Sequence, residues 1–180
     1  MEFVHLHIHT EYSLLDSTVR IEELVETAFQ YKMRALAITD KDVLHGVIPF
    51  YKKCKSLQIK PIIGMELWVR GIKLDNDFPV ILLAENNTGY MSLIRLSTMK
   101  QTTGYVDFSV VMKEIEHCMV IIPYADSEPA SLLRTDRLND CRAVLHQWKE
   151  ALGQKPLFLE RQPAGQDTNI LNIWKQLRVE

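Results

Sequence analysis

The sequence predicts an α/β fold in which short buried strands alternate with amphipathic helices. Three observations point there. Apolar runs of four to ten residues recur along the chain, segments with apolar spacing i, i+3, i+4 separate them, and chemically active side chains gather at the ends of the runs. The chain has 180 residues, 47% of them apolar and 24% charged, and holds no internal repeat or low-complexity tract. A chain of this size buries roughly 70% of its unfolded surface, so it folds without disulfides or a structural metal.

The elements follow in order. Residues 3–9 (FVHLHIH) alternate strictly and read as a strand. Ser17 or Thr18 caps a helix whose apolar face is Ile21, Leu24, Val25, Ala28 and Phe29. Residues 34–39 (RALAIT) form a nearly continuous apolar run, as for a strand buried on both faces. A helix over 47–57 follows, then strands over 60–69 and 78–84, with 71–77 between them as a loop. Residues 88–99 read as helix, 101–107 as loop, 118–123 as a strand, 138–152 as a helix stopped by Gly153, and 156–160 as a sixth strand. The stretch 167–178 is again helical. Strands spaced by helices predict mostly parallel pairing and a barrel-like layer. The helical pattern at the end, with no closing strand after it, suggests a piece of a longer chain with apolar surface that favours self-association.

Composition narrows the function classes. Lys and Arg number 21 against 23 for Asp and Glu, a net charge of -2, which argues against a surface dedicated to nucleic acid. No apolar run approaches the ~20 residues of a bilayer span, so no membrane role is expected. Cys54, Cys118 and Cys141 are odd in number and lack C-x-x-C spacing, which fits reduced, buried thiols in a cytoplasmic protein.

Three of the six histidines, His5, His7 and His9, fall within the first nine residues. At period two they share one face, with Val4, Leu6 and Ile8 on the other. The histidine face would line a barrel interior, with His7 and His9 near its mouth and His5 deeper. The next strands bring carboxylates to the same end. The second ends in Asp40, the third carries Glu66 just past Gly64, and Asp16 lies in the loop leaving the first. Ligands delivered by separate strand ends are how α/β barrels build sites. Neutral imidazoles with carboxylates suit zinc, manganese or iron. His45 reads as a helix-entry residue, Trp68, Trp148 and Trp174 as packing residues, and Lys52, Lys53 and Lys55 as a solvated basic face.

The motifs His7-Ile8-His9-Thr10 with Ser13 and Asp16, Ile38-Thr39-Asp40, and Gly64-Met65-Glu66 resemble the opening motifs of the PHP superfamily. The stretches FVHLHIHTEYSLLDS, LAITDKDVLHGVIPFYKKCKSLQIKPIIGMELWV and FPVILLAENNTGYMSLIRLS most resemble the branch at the N-terminus of bacterial DNA polymerase III alpha subunits, in its shorter Gram-positive type. The resemblance implies a distorted (βα)7 barrel, here truncated before its last strand, with residues 1–180 as the N-terminal part of a much longer polymerase chain. Intact members of the superfamily hold several metal ions and hydrolyse phosphate esters with metal-activated water. Some polymerase branches use the domain as a 3'-to-5' exonuclease, and in others it is structural.

Carried over residue by residue, the resemblance assigns His7, His9, Asp16 and Glu66 as metal ligands. It breaks at Lys41, where metal-binding members read Thr-Asp-His and this chain reads Thr39-Asp40-Lys41. A protonated lysine has no lone pair to donate. Neither Phe78-Pro79-Val80 nor Pro123-Tyr124-Ala125 offers a further ligand, and the closing Asp-x-His motif would lie beyond Glu180. Asp16, Asp40 and Glu66 around one cleft repel without a cation among them. Lys41 either supplies that cation in place of a metal, or points to solvent.

The expected function is therefore an N-terminal PHP domain of a replicative DNA polymerase with a degenerate Zn2+, Mn2+ or Fe site. The polymerase's Mg2+ would bind outside this chain. DNA and dNTPs through the parent polymerase, its other domains and replisome subunits are the expected partners. The alternatives are an active metal-dependent phosphoesterase or exonuclease, and a stand-alone histidinol-phosphatase-like hydrolase.

Overall fold

The computed structural model describes residues 3–161, so the expected helix over 167–178, with Trp174, lies outside the described residues. Five strands form one sheet in sequential order: β1 (Ala35–Ile38), β2 (Lys60–Arg70), β3 (Asp77–Ala84), β4 (Cys118–Ile122) and β5 (Leu157–Leu159). The helices are α1 (Ile21–Gln30), α2 (Val47–Ser56), α3 (Asn87–Thr103), α4 (Phe108–Glu114), α5 (Glu128–Arg134) and α6 (Leu138–Leu152).

Pairing is mixed where the alternation of elements predicts mostly parallel strands. β1–β2 and β4–β5 are parallel, while β2–β3 and β3–β4 are antiparallel. The reason is length: residues 71–76 are too few for a crossover, which needs a dozen or more, so β2 and β3 form a hairpin. β2 serves two neighbours in turn. Lys60–Ile63 pair with β1, and Gly64–Arg70 pair with β3.

Residues 3–9 differ from expectation too. They run beside β1 without forming a regular strand. Ala37 N–H donates to the His5 carbonyl at 3.1 Å and Thr39 N–H to the Ile8 carbonyl at 2.9 Å. Two residues of β1 thus match three of the N-terminal segment, and this extra residue breaks the strict alternation. His5 is consequently exposed with its ring edge against Phe3, not deep in an interior, and Leu6 is exposed as well.

Two cores cover one face of the sheet. Val25 and Ala28 of α1 pack with Phe50 and Cys54 of α2 over Leu36 and Ile38 of β1. On the same side further along, Met65, Leu67, Val80, Leu82, Val120 and Ile122 take the packing of α3, α4, α5 and α6. The opposite sheet face carries a smaller cluster of Ile81, Leu83 and Ile121. All three cysteines are free and buried, as expected, and burial pushes the Cys141 thiol up to about 12.

Several local expectations change. The α1 start has no side-chain cap, because the Ser17 hydroxyl donates to the His9 carbonyl instead. Phe29, expected on the apolar face, is exposed at 54% and stays outside the core that α1 and α2 share. α3 runs on through Thr103 into the stretch expected as loop, ending where Gly104 adopts φ 82°. α4 and α5 have seven residues each, too short for periodicity to announce them. Among the described residues no helix is long and apolar enough to cross a membrane.

Gly64 sits where β2 changes partners. A Cβ there would lie 2.5 Å from Leu83 Cδ2, 2.7 Å from the Leu82 carbonyl oxygen and 3.0 Å from Thr39 Cγ2. Gly64→Ala should therefore cost about 1–3 kcal/mol through overpacking. Urea denaturation should show a lower midpoint with an unchanged slope.

Candidate metal centre

Three segments deliver the polar cluster. Glu66 comes from β2, His7 and His9 from the N-terminal segment, and Glu160 from the residue after β5. Thr39 and Asp40, leaving β1, hold the N-terminal segment in place. The Thr39 hydroxyl accepts from Ile8 N–H at 2.8 Å and donates to the Ile8 carbonyl at 3.0 Å. The Asp40 carboxylate accepts from Thr10 N–H at 2.6 Å, from the Thr10 hydroxyl at 2.8 Å and from the Ser13 hydroxyl at 2.7 Å.

His7, His9 and Glu66 meet at one point. Their ligand atoms all lie within 4.8 Å of one another. His7 Nε2 is 2.9 Å from Glu66 Oε2, and His7 Nδ1 is 2.8 Å from Glu160 Oε1. His9 Nε2 lies 3.3 Å from the same Glu66 oxygen but is buried without a hydrogen bond. Trp68 Nε1–H donates to Glu66 Oε1 at 2.8 Å. These side chains line a cleft of about 200 Å³ together with Asp16, Lys41, Pro79, Pro123, Ala125 and Asp126.

Charge is strongly coupled here. Burial alone would lower the His7 pKa, but the hydrogen bonds and charges of Glu160 and Glu66 outweigh it and raise it to about 9. Burial works upward on Glu66, yet the hydrogen bonds from His7 and Trp68 and the His9 imidazole close by hold its carboxyl well below the usual range. Without a metal, the pair is an imidazolium between two carboxylates.

The structure separates the predicted site residues into two groups. His7, His9 and Glu66 converge. Asp16, expected as a ligand, stands at the cleft rim in an ion pair with Lys41 at 3.0 Å, both about one-third exposed. Asp40 is only 1% exposed and its carboxylate is taken up by Thr10 and Ser13, so it braces the loop and does not join a repelling cluster in the cleft. Lys41 does not point to bulk solvent. Its ammonium sits between Asp16 and the Trp68 ring, 4.5 Å from the ring centroid. Trp68, expected only to pack, therefore touches both Glu66 and Lys41.

Glu160 escaped the sequence reading. It does follow the rule that picked out Asp40 and Glu66, a carboxylate at the end of an apolar run, and that was its only signal. Trp68 gave none, because its role depends on which strand face meets Lys41.

The donor set fits a divalent ion. Two imidazoles and a carboxylate suit zinc, manganese or iron. The buried, unbonded Nε2 of His9 is the kind of atom a metal satisfies. Glu160 at His7 Nδ1 is the carboxylate partner that fixes a ligating imidazole's tautomer and leaves Nε2 for the ion.

Fold and site together define a mixed α/β domain with a histidine–carboxylate cleft at the end of its sheet. The chain belongs to the PHP domain family, whose profile matches residues 5–164. It is 37% identical over 166 residues to the DNA polymerase III subunit alpha of Halalkalibacterium halodurans, covering 90% of this chain and 15% of that protein. It is 34% identical over 201 residues to the same subunit of Deinococcus radiodurans, covering 97% of this chain and 15% of that protein. The Bacillus subtilis subunit is 43% identical over 104 residues, 57% of this chain and 9% of its own length. The chain thus spans about 15% of the length of the curated relatives with the broadest matches. Among solved structures it resembles one from Bifidobacterium adolescentis, described as a candidate metal-dependent phosphoesterase, with TM-score 0.57 and 15% identity, covering 97% of this chain and 83% of that one. That likeness concerns the fold.

Two outcomes are expected. Asp40→Ala leaves the Thr10 and Ser13 donors buried without an acceptor and should destabilise the chain by about 3 kcal/mol in chemical denaturation. In metal-free protein, His7 is raised from its ordinary 6.5 to about 9, so its contribution is full below pH 6.5 and is lost as pH rises through 9. Thermal midpoints should fall across that window, and His7→Gln should remove the fall.

Proposed function

We propose that this chain is a PHP domain working as part of a bacterial replicative DNA polymerase III alpha subunit, where it serves mainly as a structural domain with a reduced metal site. Its activity in this reading is that of the longer polymerase, a nucleotidyltransferase in the cytoplasm acting on DNA and dNTPs with Mg2+ bound outside this chain. Partners are the other domains of that polypeptide and replisome subunits. The carrying observation is the ion pair of Lys41 with Asp16: a lysine ammonium holds the carboxylate that a second metal would need.

His7, His9 and Glu66 are the ligands in this reading, for at most one Zn2+, Mn2+ or Fe ion. Such an ion would supply Lewis acidity and a bound water of lowered pKa. Glu160 orients His7, Trp68 orients Glu66, and Lys41 with Asp16 closes the rim. Identity of 34–37% across nine-tenths or more of the chain to polymerase alpha subunits supports this context over a stand-alone histidinol-phosphatase-like hydrolase.

One observation favours a second reading, an active phosphoesterase or 3'-to-5' exonuclease: three ligand atoms do converge within 4.8 Å at an open cleft. Mass spectrometry of purified protein decides the ligand set. One equivalent of metal or less is expected, lost in His7→Ala/His9→Ala. Two or more equivalents would overturn the reduced site. Bis(p-nitrophenyl) phosphate should be hydrolysed no faster by the wild type than by the double variant, and a clear difference would favour the second reading.

A further inference from the structure

One buried carboxylate is left unused by the cleft. Glu128 opens α5, is only 4% exposed, and among the described residues has no cationic side chain as a hydrogen-bond partner. Its Oε2 accepts from Ile72 N–H at 2.9 Å, and its Oε1 accepts from Lys73 N–H at 2.5 Å and Leu74 N–H at 2.9 Å. Three successive backbone donors around one carboxylate form an anion-binding concavity. The donors belong to the tip of the β2–β3 hairpin, whereas Glu128 belongs to the chain leaving β4.

Those two segments both contribute walls of the cleft. The hairpin contributes Trp68 and Pro79, and the segment after β4 contributes Pro123, Ala125 and Asp126. The second wall also reaches the histidines. Tyr124 N–H donates to Glu160 Oε2 at 3.1 Å, and Glu160 Oε1 holds His7 Nδ1 at 2.8 Å. From the far side, Arg134 Nη2 donates to the Ala125 carbonyl.

We infer that Glu128 is a positioning residue for the metal cleft: it ties the two walls together and, through Tyr124 and Glu160, sets the orientation of the His7 imidazole. A carboxylate in the first turn of a helix is favoured by the helix dipole anyway. That effect does not require the three hairpin N–H groups, and their convergence is what makes Glu128 a tie between walls. The inference rests on the reading of His7, His9 and Glu66 as ligands.

Co2+ is the probe, because its ligand-field absorption reports coordination directly. Glu128→Gln should weaken Co2+ binding by about 10- to 100-fold and change the absorption bands. Val25→Ala, in the separate core under α1, should lose stability while keeping wild-type affinity and spectrum. Unchanged affinity and spectrum in folded Glu128→Gln overturns the inference, and so does an equal loss in Val25→Ala. If Glu128→Gln does not fold, Arg134→Met decides, since it loosens the same wall from an exposed side chain: weaker Co2+ binding supports the inference and unchanged binding overturns it. If wild-type protein takes up no Co2+, the ligand reading fails by itself. The His7 Nδ1–H resonance of metal-free protein then decides: a shift in a folded variant supports positioning, and no shift overturns it.

Discussion

The candidate site depends on how residues 3–13 are held against the end of β1. Thr39 and Asp40 do this with side chains, through the Thr39 hydroxyl on Ile8 and the Asp40 carboxylate on Thr10 and Ser13. A regular ladder would have spread the load over many backbone bonds. Here two backbone bonds and two buried side chains carry it, and the extra residue in the segment turns His7 and His9 toward Glu66. Buried polar groups tolerate this only because each donor finds an acceptor. The Thr-Asp pair at the end of β1 thus braces the loop, while the two histidines it positions meet Glu66 in the cleft.

Electrostatics then divides the cleft into two halves. On one side Glu66 and Glu160 bracket His7 and hold a proton on it well past neutrality. On the other, Lys41 neutralises Asp16 and lies against Trp68. A metal ion and a proton compete for the first half, because coordination needs the His7 Nε2 lone pair. The second half is already filled by a tethered ammonium. Carboxylates brought to one place need a cation, and here the His7 imidazolium serves one group and the Lys41 ammonium the other.

Much of this was legible beforehand. The strands over 34–39, 60–69, 78–84 and 118–123 stand out because burial on both faces leaves continuous apolar runs, and all four form. The PHP motifs single out His7, His9 and Glu66, and their ligand atoms lie within 4.8 Å of one another. The hairpin was also legible, since six residues cannot make a crossover, yet the alternation of elements pointed the other way. The role of Asp40 is not legible for a physical reason: a carboxylate at a strand end looks the same whether it faces a cleft or braces a loop. Glu160 was passed over because its partner lies 153 positions away.

Composition, periodicity and motif spacing by themselves determined the α/β class, the positions of five of the six expected strands and the histidine–carboxylate character of the site. These properties are local, and each is written within a few consecutive residues. Tertiary structure alone decided the mixed pairing, the exposure of His5, the capture of Asp16 by Lys41, the arrival of Glu160 at the cleft and the hold of Glu128 on the β2–β3 hairpin. Those depend on which surfaces meet across long stretches of chain, and there burial and hydrogen-bond satisfaction, acting on the whole fold at once, select among partners that the local sequence leaves equivalent.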